Sequence, residues 1–514
     1  MKKYLIPVSL IVVTTLIVLV QSCQKEADTL MDFEPYGFSG LDDNGGTWKP
    51  ILLTSGSQVT VPTPDDVTSA AYLQEVADLK TTVNALTEDQ KTAVEYWGAN
   101  SLIRWNEIAN NLSAKYNLPP APNPDGSYSA PDAANPSAYP NFPFSHPPYS
   151  CRMFAYWGGA QFDALIAVWN QKYAHNRPAP YNVDGSVATL LPENDLPSYP
   201  SEDAAIATVS EVILGAMFPL EKEFIAAKAA ELRNARIWAG MNVQSDIAAG
   251  DSIGKAVATV FINRSKTDKM KFANTTVAGA DSIENAAQAM WGWHWENLEN
   301  PQRRVGILPK YGKVTPWFIP SVEAVRPGPP PAPGSAEFNE DVAELESFDD
   351  NLTQEQRDIA LFWNDGPSTY TPTGHWNRIA YDYIINNKLN PLRTARVFAY
   401  LNMAEMDAGI SCWDTKYYYH YPRPSGASSV KVLIPIPNFP SYTSGHSTFS
   451  GAAAEVLSYL FPEGASEFSH KAEEAGASRV YARIHYRFDC DAGLTAGKAI
   501  GTYAVNVAAQ DGAN

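Results

Sequence analysis

SYTSGHSTFSGAAAEVLSYL, residues 441–460, is the stretch from which the fold reads most directly. Its second part, Ser447 to Leu460, is rich in alanine and repeats its apolar residues at helical spacing, which predicts an amphipathic helix. Its first part, Ser441-Tyr442-Thr443-Ser444-Gly445-His446, sets small polar residues at the N-terminus of that helix. Free backbone N–H groups and the helix dipole favour an anion there. Gly445 permits close backbone approach. Ser444 offers a hydroxyl, as a helix cap and as a donor to an anion.

The helical pattern continues outward. Ala93-Val94-Trp97 with Leu102-Trp105-Ile108, and Val397-Phe398-Leu401 with Ala404, repeat apolar residues at helix spacing, and strand-like alternation is scarce. The expected class is all-α. Pro119 to Pro148, Pro178 to Pro200 and Arg326 to Pro333 interrupt the helices. The last reads RPGPPPAP, too stiff and extended to join a helix, and is the expected linker.

A diverged internal repeat organises the chain. Leu196-Pro197-Ser198-Tyr199 and Ser201 parallel Phe439-Pro440-Ser441-Tyr442 and Ser444. Arg236, Asp246, Gly254 and Lys255 parallel Arg479, Asp489, Gly497 and Lys498, all at a constant offset of 243. Upstream, Arg152 to Tyr156 parallels Arg396 to Tyr400, and Lys172 parallels Lys416, at 244. The repeat predicts two packed helical bundles, 64–325 and 336–514, joined by a linker at 326–335, with the active site in the C-terminal bundle. At the positions of Gly445, His446 and His485 the first half has Glu202, Asp203 and Asn242. A carboxylate there repels an oxyanion, and an Asn is no imidazole nucleophile. The first half is therefore expected to keep the scaffold without the chemistry and to shape the entrance.

Two further clusters accompany Ser444-Gly445-His446. Lys416 and Arg423-Pro424 offer a point charge and a planar fork suited to phosphate-like oxygens, on a segment leaving a helix. Ser478-Arg479 is followed by His485 and by Asp489 four residues later, a spacing that would put His and Asp on one helix face. Asp489 can then hold one ring nitrogen and leave the other as a nucleophile. Such a pair alone also serves as a plain structural ion pair. Ser368 to His375 precedes Trp376-Asn377 without a counterpart before Trp105-Asn106, so His375 is a candidate pocket wall or an exposed loop histidine.

Charge and address add limits. The net charge is −18 over 514 residues, which argues against nucleic acid as the main partner. Lys2-Lys3, the apolar run from Leu5 to Val20, and Ser22-Cys23 resemble a bacterial lipoprotein signal. The expectation is a signal peptide over 1–22, lipidation at Cys23, a tether and extension over 23–63, and a membrane-anchored, periplasmic or cell-surface protein. Cys151, Cys412 and Cys490 are expected as buried free thiols, with one disulfide as the alternative.

Taken together, Lys-x6-Arg-Pro, Ser-Gly-His and Ser-Arg-x5-His-x3-Asp resemble the superfamily of type 2 phosphatidic acid phosphatases and vanadium-dependent haloperoxidases, most strongly from about Ala395 to Gly501. Gly312 to Trp317 and the proline-rich stretch resemble the soluble, two-bundle haloperoxidase-like branch. Thr443 stands where a Pro is common, and Arg483 where a small residue is common. The resemblance implies that Lys416, Arg423 and Arg479 bind an oxyanion and that Ser444 and the Gly445 N–H complete its shell. It implies His485 as the nucleophile towards phosphorus, or as the protein ligand to vanadium. His446 is then the general acid and Asp489 orients His485. The leading expectation is a phosphate-ester hydrolase acting on a small phosphorylated substrate without a cofactor. The runner-up is a vanadate-dependent haloperoxidase using peroxide and a halide. A surface lipoprotein that only binds anions or partners is the third. Oligomeric state is not encoded in any readable motif.

Overall fold

Small polar caps and prolines set the helix ends. Ser69, Asn100, Ser201, Ser335, Asn390 and Ser444 each accept a backbone N–H from the first turn they precede, and Pro147 and Pro391 open the two longest helices. The computed structural model describes residues 33–98, 100–117, 146–298 and 305–513. The export signal, Cys23 and most of the Pro119–Pro148 stretch lie outside the described residues. The first half gives α1 (Ala70–Val83), α2 (Glu88–Gly98), α3 (Ser101–Tyr116), α4 (Pro147–His175), α5 (Glu202–Met217), α6 (Lys222–Trp238) and α7 (Gln244–Ser265). After α8 (Val277–Trp291), the second half gives α9 (Ala336–Asn351), α10 (Gln354–Phe362), α11 (Thr371–Asn386), α12 (Pro391–Tyr419), α13 (Gly445–Leu460), α14 (Ala465–Tyr481) and α15 (Arg487–Ala508). The described residues hold no strand, and no helix among them is long and apolar enough to cross a membrane.

The repeat is carried in helix length as well as sequence. α4 and α12 have 29 residues each, α5 and α13 have 16, α6 and α14 have 17, and α7 and α15 have 22. α4 and α12 both stop at a left-handed residue, Asn176 and His420. Each also buries an aspartate that gathers three successive backbone N–H groups from an incoming loop. Asp163 takes those of Ile51, Leu52 and Leu53, and Asp407 those of Trp317, Phe318 and Ile319.

α4 and α12 are buried along most of their length and pack against each other. At their crossing a Cβ on Gly158 would lie 3.0 Å from the carbonyl oxygen of Phe398, so a side chain there would press the two backbones apart by a few tenths of an ångström. Residues 35–514 therefore form one compact unit, with the two repeats sharing a core. The proline-rich stretch is pinned to the second half, where the hydroxyls of Tyr419, Tyr442 and Tyr421 donate to the carbonyls of Pro327, Gly328 and Pro331. Its extended backbone leaves carbonyls free to accept. Cys151, Cys412 and Cys490 are buried and free.

Replacing Asp407 by Ala strands three buried N–H groups, and the expected loss is about 2–4 kcal/mol of unfolding free energy in urea titration. Asp163→Ala should cost a similar amount.

Candidate active site

Three cations enter the site from three segments. Lys416, in the last turn of α12, reaches the carbonyls of Pro440, Ser441 and Thr443 at 2.9, 2.7 and 2.5 Å. Arg423 follows the left-handed turn at His420 and donates to the carbonyls of Phe439 and Ile484. Arg479, in the last turn of α14, holds the carbonyls of Ala360, Trp363 and Asn364 and the hydroxyl of Ser478. All three are buried, and among the described residues none has a carboxylate within ion-pair distance. Carbonyls satisfy their N–H groups but bring no opposing charge. Burial accordingly pulls Lys416 down to about 7 and Arg423 and Arg479 down to about 10.

His485 lies between these charges. Burial, and then Arg423, Lys416 and Arg479, hold its pKa well below the ordinary imidazole value, so the ring is neutral. Its Nδ1 is 2.8 Å from Asp489 Oδ2, and its Nε2 is 3.0 Å from Arg423 Nη1. Those partners fix the proton on Nδ1 and the lone pair on Nε2. Asp489 Oδ2 also accepts the Ser441 hydroxyl at 2.5 Å and the Tyr486 N–H. Burial raises the Asp489 carboxyl, to about 7, against the pull of Ser441, Lys416 and Arg423. The expected helix face is corrected here. α15 starts at Arg487, so His485 stands before the helix and Asp489 folds back on Tyr486 as an N-terminal cap. The turn, not helical stacking, brings the pair together.

Ser444 caps α13, accepting the Ser447 N–H at 3.3 Å. Gly445 opens the helix, and a Cβ built there meets no atom within 4 Å. His446 lies 3.6 Å from Asp365 Oδ2, and burial, followed by Arg479, lowers it to about 4. His446, Arg479 and His485 line a cavity of about 240 Å³ whose outer wall is apolar, with Ile434, Pro435, Ile436, Pro437 and Phe439. The first half supplies Asn117, His146 and Pro147 to this cavity. Asn117 is also bonded to the loop carbonyls of Gly366 and Thr369. Another cavity, of about 250 Å³ beside Glu284 and His294, holds none of the three cations.

His375 differs from its expected place. Pro372 opens α11, so His375 is helical, buried, and stands behind Asp365 rather than on the cavity wall. The wall is made by Asn364, Asp365, Gly366 and Pro367. Asp365 carried no sequence signal, and Ser441, though part of the polar cluster and of the repeat, gave none of its bond to Asp489, because each acts through a loop turn that no periodicity encodes. Arg483 is turned to Asp349 and to the carbonyls of Lys431 and Phe348, away from the three cations.

The first half repeats the cations and closes them. Lys172 pairs with Glu202 at 2.8 Å, Arg236 with Asp203 at 2.9 Å and with Glu202 at 3.5 Å, and Arg177 with Asp246. Glu202 replaces Gly445, so its carboxylate fills the position that is open in the second half. The expected repulsion is thus realised as a built-in counter-charge.

Residues 397–512 match the PAP2 superfamily model. The C-terminal part of the chain is a PAP2 superfamily domain. Over 120 residues the chain is 32% identical to a non-specific acid phosphatase of Salmonella typhi, covering 22% of this chain and 48% of the relative. Over 192 residues it is 30% identical to the vanadium chloroperoxidase of Curvularia inaequalis, covering 29% and 32%. The chain therefore spans about half or less of these curated relatives. Among solved structures it is similar to the first bacterial vanadium-dependent iodoperoxidase, with a TM-score of 0.54 and 26% identity over 70% of this chain and 91% of that one. A holo-type bacterial vanadium-dependent chloroperoxidase shares the fold, at a TM-score of 0.51 and 13% identity over 74% and 96%.

Two outcomes test the charge account. Because burial pulls Lys416 down to about 7, sulfate affinity measured by calorimetry should fall as the pH rises through that range. The fall should approach about tenfold per pH unit while sulfate itself keeps its charge. In the first half, Glu202→Gln leaves Lys172 and Arg236 short of a carboxylate and should lower stability by about 3–5 kcal/mol in chemical denaturation.

Proposed function

We propose that this protein is a phosphate-ester hydrolase that works through a phosphohistidine on His485. The observation that carries the reading is the set of three buried basic side chains, none of them in an ion pair among the described residues, around a neutral, Asp489-oriented imidazole. An ester phosphate between Lys416, Arg423 and Arg479 supplies the missing negative charge, and the Gly445 N–H at the start of α13 adds a donor. His485 Nε2 forms the bond to phosphorus as the ester oxygen leaves. His446 gives that oxygen its proton. The dianion beside His446 raises its proton affinity from the low value of the empty site, so the acid is charged when the substrate is present. Water then attacks the phosphohistidine, His446 takes the proton back, and phosphate and free His485 are restored. Asp489 holds the His485 Nδ1 proton throughout.

A second reading is favoured by one observation. The similarity to the iodoperoxidase extends over 70% of the chain, whereas that to the acid phosphatase covers 22%. Vanadate has the charge and tetrahedral shape that the cation set and the open space over Gly445 would accept, with His485 Nε2 as its protein ligand. Bound there, vanadate supplies activation of hydrogen peroxide for halide oxidation. In that reading Lys416, Arg423 and Arg479 hold the anion's charge and His446 handles protons. In either reading, the sequence of residues 1–23 supports an exported, lipid-tethered protein.

The test pairs two substrates. His485→Ala should abolish phosphate release and the labelled protein intermediate seen by rapid quench with an alkyl phosphate. His446→Ala should slow the alkyl ester by about 10²–10⁴-fold but a nitrophenyl ester far less, since that leaving group departs without a proton. Vanadate-loaded protein that halogenates an acceptor with peroxide, and releases no phosphate from any ester, would replace the first reading by the second.

A further inference from the structure

The Asp365 carboxylate is hydrogen-bonded to one histidine and faces a second. His375 Nδ1 lies 3.1 Å from Oδ1 and 3.2 Å from Oδ2, and His446 Nε2 lies 3.6 Å from Oδ2. The three side chains are buried or nearly so. The His375 ring is stacked on Trp363 at 4.3 Å and 23°, with the edge of Phe362 at 4.8 Å. Trp363 is anchored in turn, its Nε1 donating to Glu474 at 2.8 Å. Arg479 binds the carbonyls of Trp363 and Asn364, so the same cation that faces the oxyanion fixes the loop carrying Asp365. His375 belongs to the stretch that the first half lacks; there the residue before Trp105 is Arg104, paired with Glu107.

We propose that His375 is a positioning residue that acts through Asp365 to set how readily His446 gives and takes its proton. One carboxylate cannot fully serve two cationic imidazoles in a buried site. When His375 is cationic it claims the Asp365 charge, and His446 is left a willing proton donor. When His375 is neutral, Asp365 is free to stabilise the cation on His446, which then holds its proton more firmly. The ordering of influences on His446 agrees, with Asp365 raising its proton affinity and His375 lowering it.

Other charged groups face the pair. Arg479 on α14 and His485 before α15 oppose charge on His446. Glu405, buried on α12 with its carboxyl held well above the usual range by burial, faces Asp365. His146 lines the same cavity from the start of α4. None of these touches Asp365 at the distance His375 does, so His375 is the group whose removal isolates the effect.

The inference rests on the acid role given to His446 above, and its test is independent of activity. Imidazole resonances of the intact chain are titrated by NMR in wild type, His375→Gln and His375→Phe. Both substitutions remove the imidazole that competes for Asp365, and Gln keeps a neutral donor to it. The His446 midpoint should rise by about half a pH unit or more in each, with the larger rise in the Phe variant. The basic limb of the kcat/KM profile for a phosphate monoester should move the same way. An unchanged His446 midpoint in folded variants would overturn the proposal, because a packing role predicts only lost stability. A shifted midpoint in a protein inactive on every ester would sustain it while removing the hydrolase reading. If both variants unfold, His375→Asn, whose amide nitrogen takes the place of Nδ1, is titrated instead: the His446 midpoint should rise, and an unchanged midpoint contradicts the coupling.

Discussion

Three buried cations with no carboxylate within ion-pair distance among the described residues are the constraint on which the second half of this protein depends. Burying an unpaired charge is costly, and the chain meets the cost with geometry. Lys416, Arg423 and Arg479 are each surrounded by backbone carbonyls, which orient their donors and leave the charge unspent. The turns that present those carbonyls, Phe439 to Thr443, Ile484 and Trp363 to Asn364, are the same turns that carry His485's partner Ser441, the capping Ser444 and Asp365. Binding and positioning are therefore one network. An anion bound there would supply the charge that the carbonyls do not.

The first half shows what happens when the constraint is removed. Its helices α4 to α7 match α12 to α15 in length and order, and its cations recur at the positions that the repeat assigns. Glu202, Asp203 and Asp246 neutralise them from within, and Asn242 takes the position of His485. Its contribution has moved to the shared core between α4 and α12 and to the wall of the cavity, where Asn117 ties down the loop beside Asp365.

Much of this was legible in the residues. The all-α class, the repeat and the three clusters follow from apolar spacing and from a constant offset, because helix period and motif order are written locally. Lys416, Arg423, Arg479, His446, His485 and Asp489, singled out by the motifs, lie near one another, and Ser444 and Gly445 begin the helix that carries His446. The helix-face argument for His485 and Asp489 failed because a helix start between them cannot be placed to the residue from propensity. Asp365, Ser441 and the inward turn of His375 depend on loop geometry and on Pro372 beginning a helix, which spacing does not report. The proline-rich stretch read as a linker, yet tyrosine hydroxyls distant in sequence fasten it down.

The most direct test of the account is anomalous diffraction from crystals of the protein soaked in tungstate, a heavy tetrahedral oxyanion. The account predicts one strong peak among Lys416, Arg423, Arg479 and the Gly445 N–H, beside His485 Nε2, and none between Lys172 and Arg236. A peak in the first half, or an empty second-half site in tungstate-saturated crystals, would contradict it.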